Sequence, residues 1–466
     1  MKYINKKLEK FNSDIKSKKI AIIGIGVSNI PIIEYFEKSG LDITVFDERS
    51  EEKIPKEVKE NIRKYNVKIN LGADSLKELK GFDIIFRSPS CMPTRKELRE
   101  EKERGAIVTT EIEMFMKLCP AKIIGVTGSD GKTTTTSLIY SILKQGGYNC
   151  FLGGNIGTPL FTKLNEITPE DFVVLELSSF QLMKMNISPE ISVITNITPN
   201  HLNVHSSYEE YIDAKSNIFK YQTENGKLVL NHDNTITKML ASKAPGKVVF
   251  FSSKEKLEDG VILDNNIIKI CKDKLRRHII NTEDIIIRGN HNYENICAAI
   301  AATEGLVDID NIVKAIKSFK GVEHRIELVR EINGVKWYND SIGTSPTRTI
   351  AGINSFKERI VLIAGGYDKK LDYTPIAKPI LDRVDALILI GDTATKIFDA
   401  VKEEEEKENK KIKIYMCSEF KEIVETAYKI AKPGEVVLFS PASASFDMFK
   451  NFEERGNKFK ELVNNL

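Results

Sequence analysis

The stretch IIGVTGSDGKTTTT, residues 123–136, gathers residue types that bind phosphate. Gly128 and Gly131 let a backbone turn its N–H groups inward. Lys132 offers a cation to the β- and γ-phosphates, and the Thr133 hydroxyl offers a ligand to Mg²⁺. The usual spacing, G-x-x-x-x-G-K-[ST], needs glycine at position 126, where this chain has Val126. Gly125 and Gly128 are each off register. Context outweighs register here. An apolar strand precedes the loop and a helix opens at Lys132, the arrangement in which a helix N-terminus receives an anion. A glycine-rich turn with an exposed lysine is the competing reading.

Other groups could serve the same chemistry. VVLELSSFQL puts Glu176 at the C-terminal end of a buried strand. That is where α/β sheets hold ligands, and a carboxylate there can keep Mg²⁺ against phosphates. YEEYIDAKSNIF places Lys215 on a helix. Its type alone reads as an ordinary surface lysine. In GNHNYENI, Asn292 and Asn295 lie three apart, on one helix face.

These residues need parallel strands and crossover helices to hold them. Residues 18–50 read as strand, tight turn, helix, turn and strand, with Asp47 ending the second strand. The dinucleotide fingerprint would need a third glycine at Asn29, but Gly24 and Gly26 still allow close approach to phosphate. A plain βαβ turn without ligand competes with that reading. A second β/α series starts near residue 110 and a third near residue 322. Residues 224–285 predict a smaller sheet of short strands, and KEEEEKENKK (402–411) a solvated helix end or loop. The expected fold class is α/β in three domains: Rossmann-like over 1–110, a central P-loop ATPase type with a mostly parallel sheet over 111–321, and Rossmann-like over 322–466.

Composition excludes several classes. At 466 residues, 41% hydrophobic and 29% charged, the chain reads as globular protein. A net charge of +3 gives nucleic-acid binding no electrostatic support. No apolar run reaches the ~18 residues of a membrane span, and the lysine-rich start is not a secretory leader. Six scattered cysteines without a C-x-x-C pair argue against structural zinc and for free thiols in a reducing cytoplasm.

GVTGSDGKTTTT also resembles the nucleotide loop of the Mur ligase superfamily, T-G-[TS]-[ND]-G-K-[ST], in which the off-register glycine is normal. GGNIGTPL (153–160) is similar to that family's G-N-I-G turn, and NITPNHLNVH to its metal-binding run, with Asn200 and Asn203 where aspartates are common. GNHNYENI, GVEHRIELV, WYNDSIGTSPTRT, AGGYDKK and LFSPASASFDMFKNFEERG continue the likeness in order, the last matching the D-glutamate-adding branch very closely. Ile342 stands where many relatives carry lysine, and Ser90 where glycine is frequent.

The resemblance implies an ATP-dependent carbon–nitrogen ligase of cell-wall precursor synthesis. It would add D-glutamate to UDP-N-acetylmuramoyl-L-alanine through an acyl phosphate, with ATP and Mg²⁺, in the cytoplasm and as a monomer. Its partners would be small molecules, without nucleic acid or membrane insertion. Lys132, Glu176, His201 and Lys215 would be catalytic, and Thr133, Glu176, His201 and a carbamylated Lys215 would hold metal. ATP would meet Gly128, Ser129, Asp130, Gly131, Lys132, Thr133 and Thr134, then Asn292, Asn295, Arg325 and Asp340. Gly26, Val27, Ser28, Asp47, Arg49, Ser88 and Asn155 would bind the UDP substrate. Thr344, Lys369, Ser445, Phe446 and Phe452 would bind D-glutamate. Closure of the third domain over the second would exclude water. A folylpolyglutamate synthase-like ligase and a non-ligating nucleotide-binding regulator are the alternatives.

Overall fold

Four- to six-residue apolar runs, each closed by glycine or a polar turn and followed by an amphipathic helix, dictate β-α-β crossovers and parallel sheets. The computed structural model describes residues 3–26, 29–54, 56–199 and 204–466, with residues 56 and 57 as backbone alone, and holds three sheets.

The first sheet is built from β1 (Lys19–Ile23), β2 (Asp42–Asp47), β3 (Lys68–Leu71), β4 (Ile84–Arg87) and β5 (Ile107–Thr109). All are parallel, in the order β3-β2-β1-β4-β5. The order reverses at β1, which opens a crevice above its carboxyl end.

The second sheet contains β6 (Lys122–Thr127), β7 (Cys150–Gly154), β8 (Phe172–Glu176), β9 (Ile191–Ile194) and β10 (Lys227–Asn231). It continues through β11 (Lys247–Ser252), β12 (Gly260–Asp264), β13 (Ile267–Lys272) and β14 (Leu275–Asn281). Its order is β14-β13-β12-β11-β10-β9-β6-β8-β7. The separate smaller sheet expected over 224–285 is not formed. β10 pairs parallel with β9 and β11 with β10, so these strands extend the main sheet. The cause is visible in β10, whose Leu228, Val229 and Leu230 are fully buried, as in an interior strand. Only β12-β13 and β13-β14 pair antiparallel.

The third sheet, β15 (Glu327–Ile332), β16 (Val335–Asn339), β17 (Ile360–Ala364), β18 (Val384–Leu389), β19 (Lys413–Met416) and β20 (Val436–Phe439), has the order β15-β16-β20-β17-β18-β19. The β15-β16 hairpin is its one antiparallel pair. Asn333 and Gly334, both at positive φ (51° and 76°), make its turn, as an Asn-Gly pair in a two-residue hairpin should. The charge run 402–411 begins in the last turns of the helix Ala394–Glu408, which Asn409 closes in the left-handed region.

Chain contacts group residues up to 284 with 291–317 in one compact unit, and 285–290 with 318–466 in another. Within the first unit, the first two sheets share one apolar cluster. Phe161, beyond β7, meets Phe36 and Phe86 of the first sheet's layer at ring-centroid distances of 5.8 and 6.4 Å. Asn5 Nδ2 donates to Leu118 O at 3.0 Å, and Arg87 Nη2 to Met183 O at 3.0 Å. The third sheet has clusters of its own on its two faces. No described helix is long and apolar enough to cross a membrane. The six cysteines are free.

The shared core contains one ionisable group with a measurable signature. Glu111 is 6% exposed, and its carboxylate accepts from Phe161 N at 3.0 Å. Burial pushes its pKa from 4.5 up to about 7. Between those values the unfolded chain has lost the proton that the folded chain keeps. Stability therefore falls as pH rises from 4.5 to about 7, by up to about 3 kcal/mol, and stays reduced above that window. Glu111→Gln removes the titration. Its melting temperature is expected to exceed that of the parent at pH 8 and to match it below pH 4.5. A gain of equal size at both pH values would refute this origin.

Candidate active site

β6 is the switch point of the second sheet, with β8 on one side and β9 on the other. Its carboxyl end runs directly into the glycine loop. Val126 is fully buried in β6, level with Glu176, so the position that carries glycine in other loops is a core residue here. The close approaches fall at Gly128 and Gly131 instead. Gly128 has φ +155° and Gly131, at the start of the helix Lys132–Gln145, has φ +78°. A Cβ on Gly128 would run into Thr195 Oγ1, and one on Gly131 into the side chain of Asn295. Glycine is required by both conformation and space.

The loop is pinned from its neighbours. Asn196 Oδ1 accepts from Asp130 N at 2.9 Å, and Asn196 Nδ2 donates to Asp130 O at 3.2 Å. Ser129 Oγ lies 2.9 Å from both Thr198 O and the Tyr211 hydroxyl. Lys132 Nζ folds over the loop, donating to Gly128 O and Ser129 O at 3.0 Å each. Thr133 is half-buried on the first turn of the helix, and Thr134 is buried.

Glu176 ends β8 and is 1% exposed. Its Oε1 accepts from Asn155 Nδ2 at 2.7 Å, while its Oε2 is buried without a hydrogen-bond partner among the described residues. An orphaned carboxylate oxygen is costly to bury unless a cation or donor completes it. A carboxylate oxygen of this kind is a hard donor that suits Mg²⁺.

Lys215 departs from the surface lysine that residue type alone suggests. It lies in the helix Tyr208–Ser216, is 1% exposed, and donates to Gly128 O at 2.7 Å. Its Nζ sits 4.7 Å from the centre of the Tyr211 ring. Burial, reinforced by the Lys132 charge, holds its pKa well below the ordinary lysine value, against the opposing pull of Asp130 and Glu176. Two lysine amines thus converge on one carbonyl, that of Gly128. His201, Asn200 and Asn203 lie outside the described residues, as do Val27 and Ser28.

The helix Asn290–Thr303 brings Asn295 to the same loop, where Asn295 Oδ1 accepts from Thr135 Oγ1 at 3.3 Å. Asn295 Nδ2 reaches Asn292 Oδ1 at 3.5 Å. Both asparagines therefore occupy one face, beside Gly131.

At the first sheet's switch point, Asp47 ends β2 and accepts from Ile25 N at 2.8 Å and from Arg49 Nη2 at 2.7 Å. Burial acts to raise the Asp47 pKa, but the Arg49 side chain and two backbone N–H groups hold it below the ordinary value. Gly24 packs against Ser88, which follows β4, while Gly26 faces open space. Asn29, at the missing third glycine, ties the turn by donating to Ile23 O and Gly24 O at 2.9 Å. A side chain here does the bracing that close packing does at a glycine.

In the second unit, Asp340 follows β16. Burial raises its pKa to about 6, opposed by the Ser440 hydrogen bond at 2.6 Å and the Arg325 charge. Arg325 lies between two residues in the left-handed region, His324 (φ 63°) and the β-branched Ile326 (φ 46°), a costly backbone held by its surroundings. Thr344 is half-buried in the turn after Asp340, and Lys369 is exposed after β17. Ser445 is 2% exposed after β20, and Phe446 is 62% exposed with its ring edge against Tyr367 at 5.7 Å. Phe452 opens the helix Phe452–Asn464 and meets the His324 ring at 6.1 Å.

Sequence reasoning passed over Arg455, which links these pieces. It is 1% exposed and donates to Ser341 Oγ, Ser341 O, Ser443 O and Ala444 O at 2.7–3.1 Å. The available signal was an arginine on a helix face otherwise formed by Gly456, Phe459 and Val463. Thr195, Asn196 and Tyr211 were also missed, because only the fold brings them to the loop.

Known proteins resemble this chain over nearly its whole length. Residues 126–303 match the Mur ligase middle domain, 324–443 the Mur ligase glutamate ligase domain, and 18–110 the MurD-like N-terminal domain of Mur ligases. A UDP-N-acetylmuramoylalanine–D-glutamate ligase of Acetivibrio thermocellus is 53% identical over 99% of this chain and 100% of its own length. One of Ruminiclostridium cellulolyticum is 51% identical over the same shares. Among solved structures, a UDP-N-acetylmuramate–alanine ligase of Thermotoga maritima superposes with a TM-score of 0.58 at 20% identity, covering 96% of this chain and 99% of that one. A UDP-N-acetylmuramoyl-L-alanyl-D-glutamate–2,6-diaminopimelate ligase gives 0.56 at 16% identity, over 84% and 93%. These two likenesses establish the three-domain α/β fold. Three ligase domains in sequence order, and half of all residues shared end to end with such relatives, mean that the chain belongs to the Mur ligase family.

Proposed function

We propose that this chain joins the amine of D-glutamate to the carboxyl group of UDP-N-acetylmuramoyl-L-alanine at the expense of ATP, in the cytoplasm. The observation that carries the reading is the convergence of Lys132 and Lys215 on the Gly128 carbonyl, with the Glu176 charge acting on Lys215. The names of the 53% and 51% identical relatives supply the substrates.

Two steps account for the chemistry. A substrate carboxylate oxygen attacks the γ-phosphorus of ATP, the bond to the ADP oxygen breaks, and an acyl phosphate forms. The D-glutamate amine then attacks the acyl carbon, phosphate leaves with the bonding pair, and the amine loses a proton to give the amide. Carboxylate and ATP are both anions, so the first step needs positive charge where the phosphoryl group passes. Lys132 supplies it from the loop. The Ser129 and Asp130 N–H groups donate to Asn196, so the first N–H groups of the helix Lys132–Gln145 are the ones offered to the phosphates. Bound Mg²⁺ would add charge neutralisation and in-line orientation, and Thr133, Glu176, His201 and Lys215 as its carbamate are the residues assigned to hold it. The lowered pKa of Lys215 favours the uncharged amine that carbamate formation needs.

Asn292, Asn295, Arg325 and Asp340 are assigned to the nucleotide, and Asp47, Arg49, Ser88 and Asn155 to the UDP substrate. Thr344, Lys369, Ser445, Phe446 and Phe452 are assigned to D-glutamate.

The test is phosphate release from ATP with UDP-N-acetylmuramoyl-L-alanine and a panel of amino acids. Release is expected with D-glutamate and not with L-glutamate. Release with a different amino acid would keep the chemistry and reassign the substrate. ATP binding without release under any condition would indicate a regulator and overturn the proposal.

A further inference from the structure

The carboxyl ends of β10 and β11 hold a second group of ligand atoms that the reaction above does not use. His232 and Asp233 directly follow β10, and Glu255 lies in the turn after β11. One ligand atom from each lies within 4.8 Å of the other two. His232 Nδ1 and Glu255 Oε2 are 3.2 Å apart. Metal–ligand bonds of ~2.1 Å place neighbouring ligands ~3.0–3.4 Å apart, so this pair already has the spacing of two ligands on one ion.

Each ligand is held in place. The His232 ring stands edge-on to Phe250 at 5.2 Å, and His232 N donates to Phe251 O at 2.8 Å. Its Nδ1 atom is shut off from solvent and makes no hydrogen bond to a described residue. Asp233 accepts the Ser252 hydroxyl on Oδ1, and on Oδ2 accepts Ser253 N at 2.7 Å and Lys254 N at 3.2 Å. Outer-sphere donors of this kind orient a ligating carboxylate. Glu255 is 57% exposed, which leaves an entry path.

We propose that His232, Asp233 and Glu255 bind one borderline divalent cation, with Zn²⁺ the best fit to one imidazole and two carboxylates. Mg²⁺ prefers an all-oxygen set and is not the expected occupant. The site has a structural consequence. Ser253 Oγ also donates to Glu294 Oε1 at 2.7 Å, and Glu294 lies on the helix that presents Asn292 and Asn295. An ion at this position ties the β11 turn to β10 and, through Ser253, to that helix.

The experiment uses the full chain stripped of metal and titrated in excess Mg²⁺, with Zn²⁺ followed by calorimetry and Co²⁺ by its visible spectrum. One equivalent is expected to bind in the presence of Mg²⁺, without a sulfur-to-metal charge-transfer band. His232→Ala and Glu255→Gln are each expected to weaken it at least tenfold, while Glu176→Gln leaves it unchanged. Glu255 sits on the surface, so metal-free Glu255→Gln should melt with the parent and separate a lost ligand from a lost fold. Binding that survives both substitutions, a thiolate-type Co²⁺ spectrum, or no binding above Mg²⁺ would each overturn the proposal.

Discussion

Lys132→Met is expected to lower D-glutamate-dependent phosphate release by about 10³-fold, the range seen when a preorganised charge or donor at a developing anion is lost. Methionine keeps the length and the apolar stem of the side chain and removes only the ammonium. Two loop carbonyls lose a donor, but the Gly128 carbonyl keeps Lys215 at 2.7 Å. The thermal midpoint should therefore move little. The effect should fall on kcat more than on the KM for ATP, because the charge matters most while the phosphoryl group is in flight. Activity within tenfold of the parent would remove Lys132 from the transition state. A collapse of the midpoint would make the lysine a structural clip instead.

Glu176→Gln separates catalysis from folding more sharply. Glutamine can still accept from Asn155 Nδ2, the one partner that Glu176 Oε1 has at 2.7 Å. The substitution removes a charge whose other oxygen is buried and unpartnered among the described residues. Stability should hold or rise, since an uncompensated buried charge is lost. Phosphate release should fall by about 10²–10³-fold, because the hard oxygen ligand has gone. Raising Mg²⁺ should recover part of the loss. A variant that is both less stable and fully active would show that the carboxylate serves the scaffold and not the metal.

What the sequence showed in advance follows from the range of the forces involved. The glycine loop, its helix and Glu176 at a strand end are local patterns, and the structure places them as the pattern predicts. Parallel order in the first and third sheets follows from alternating strands and helices. Burial of Lys215 did not show, because it depends on a helix packing against a strand end some ninety positions away in the chain (|i−j| = 87 for the bond to Gly128 O). The strands over 224–285 were misjudged as a separate sheet because short polar turns hide the fact that β10 joins β9. The β15-β16 hairpin was legible in Asn333-Gly334, yet the charged residues Glu327, Arg330, Glu331 and Lys336 masked it. Arg455 was readable only as an exception, a cation on an apolar helix face.

The single apolar cluster spanning the first two sheets has a consequence for recombination. Phe36, Phe86 and Phe161 pack one against another across those sheets, and Arg87 at the end of β4 bonds to Met183 O beyond β8. A chimera that took its first sheet from one parent and its second from another would have to rebuild that cluster at many positions at once. The two sheets are therefore a single unit of inheritance, whereas the third sheet, with apolar clusters of its own, can be exchanged between lineages more readily.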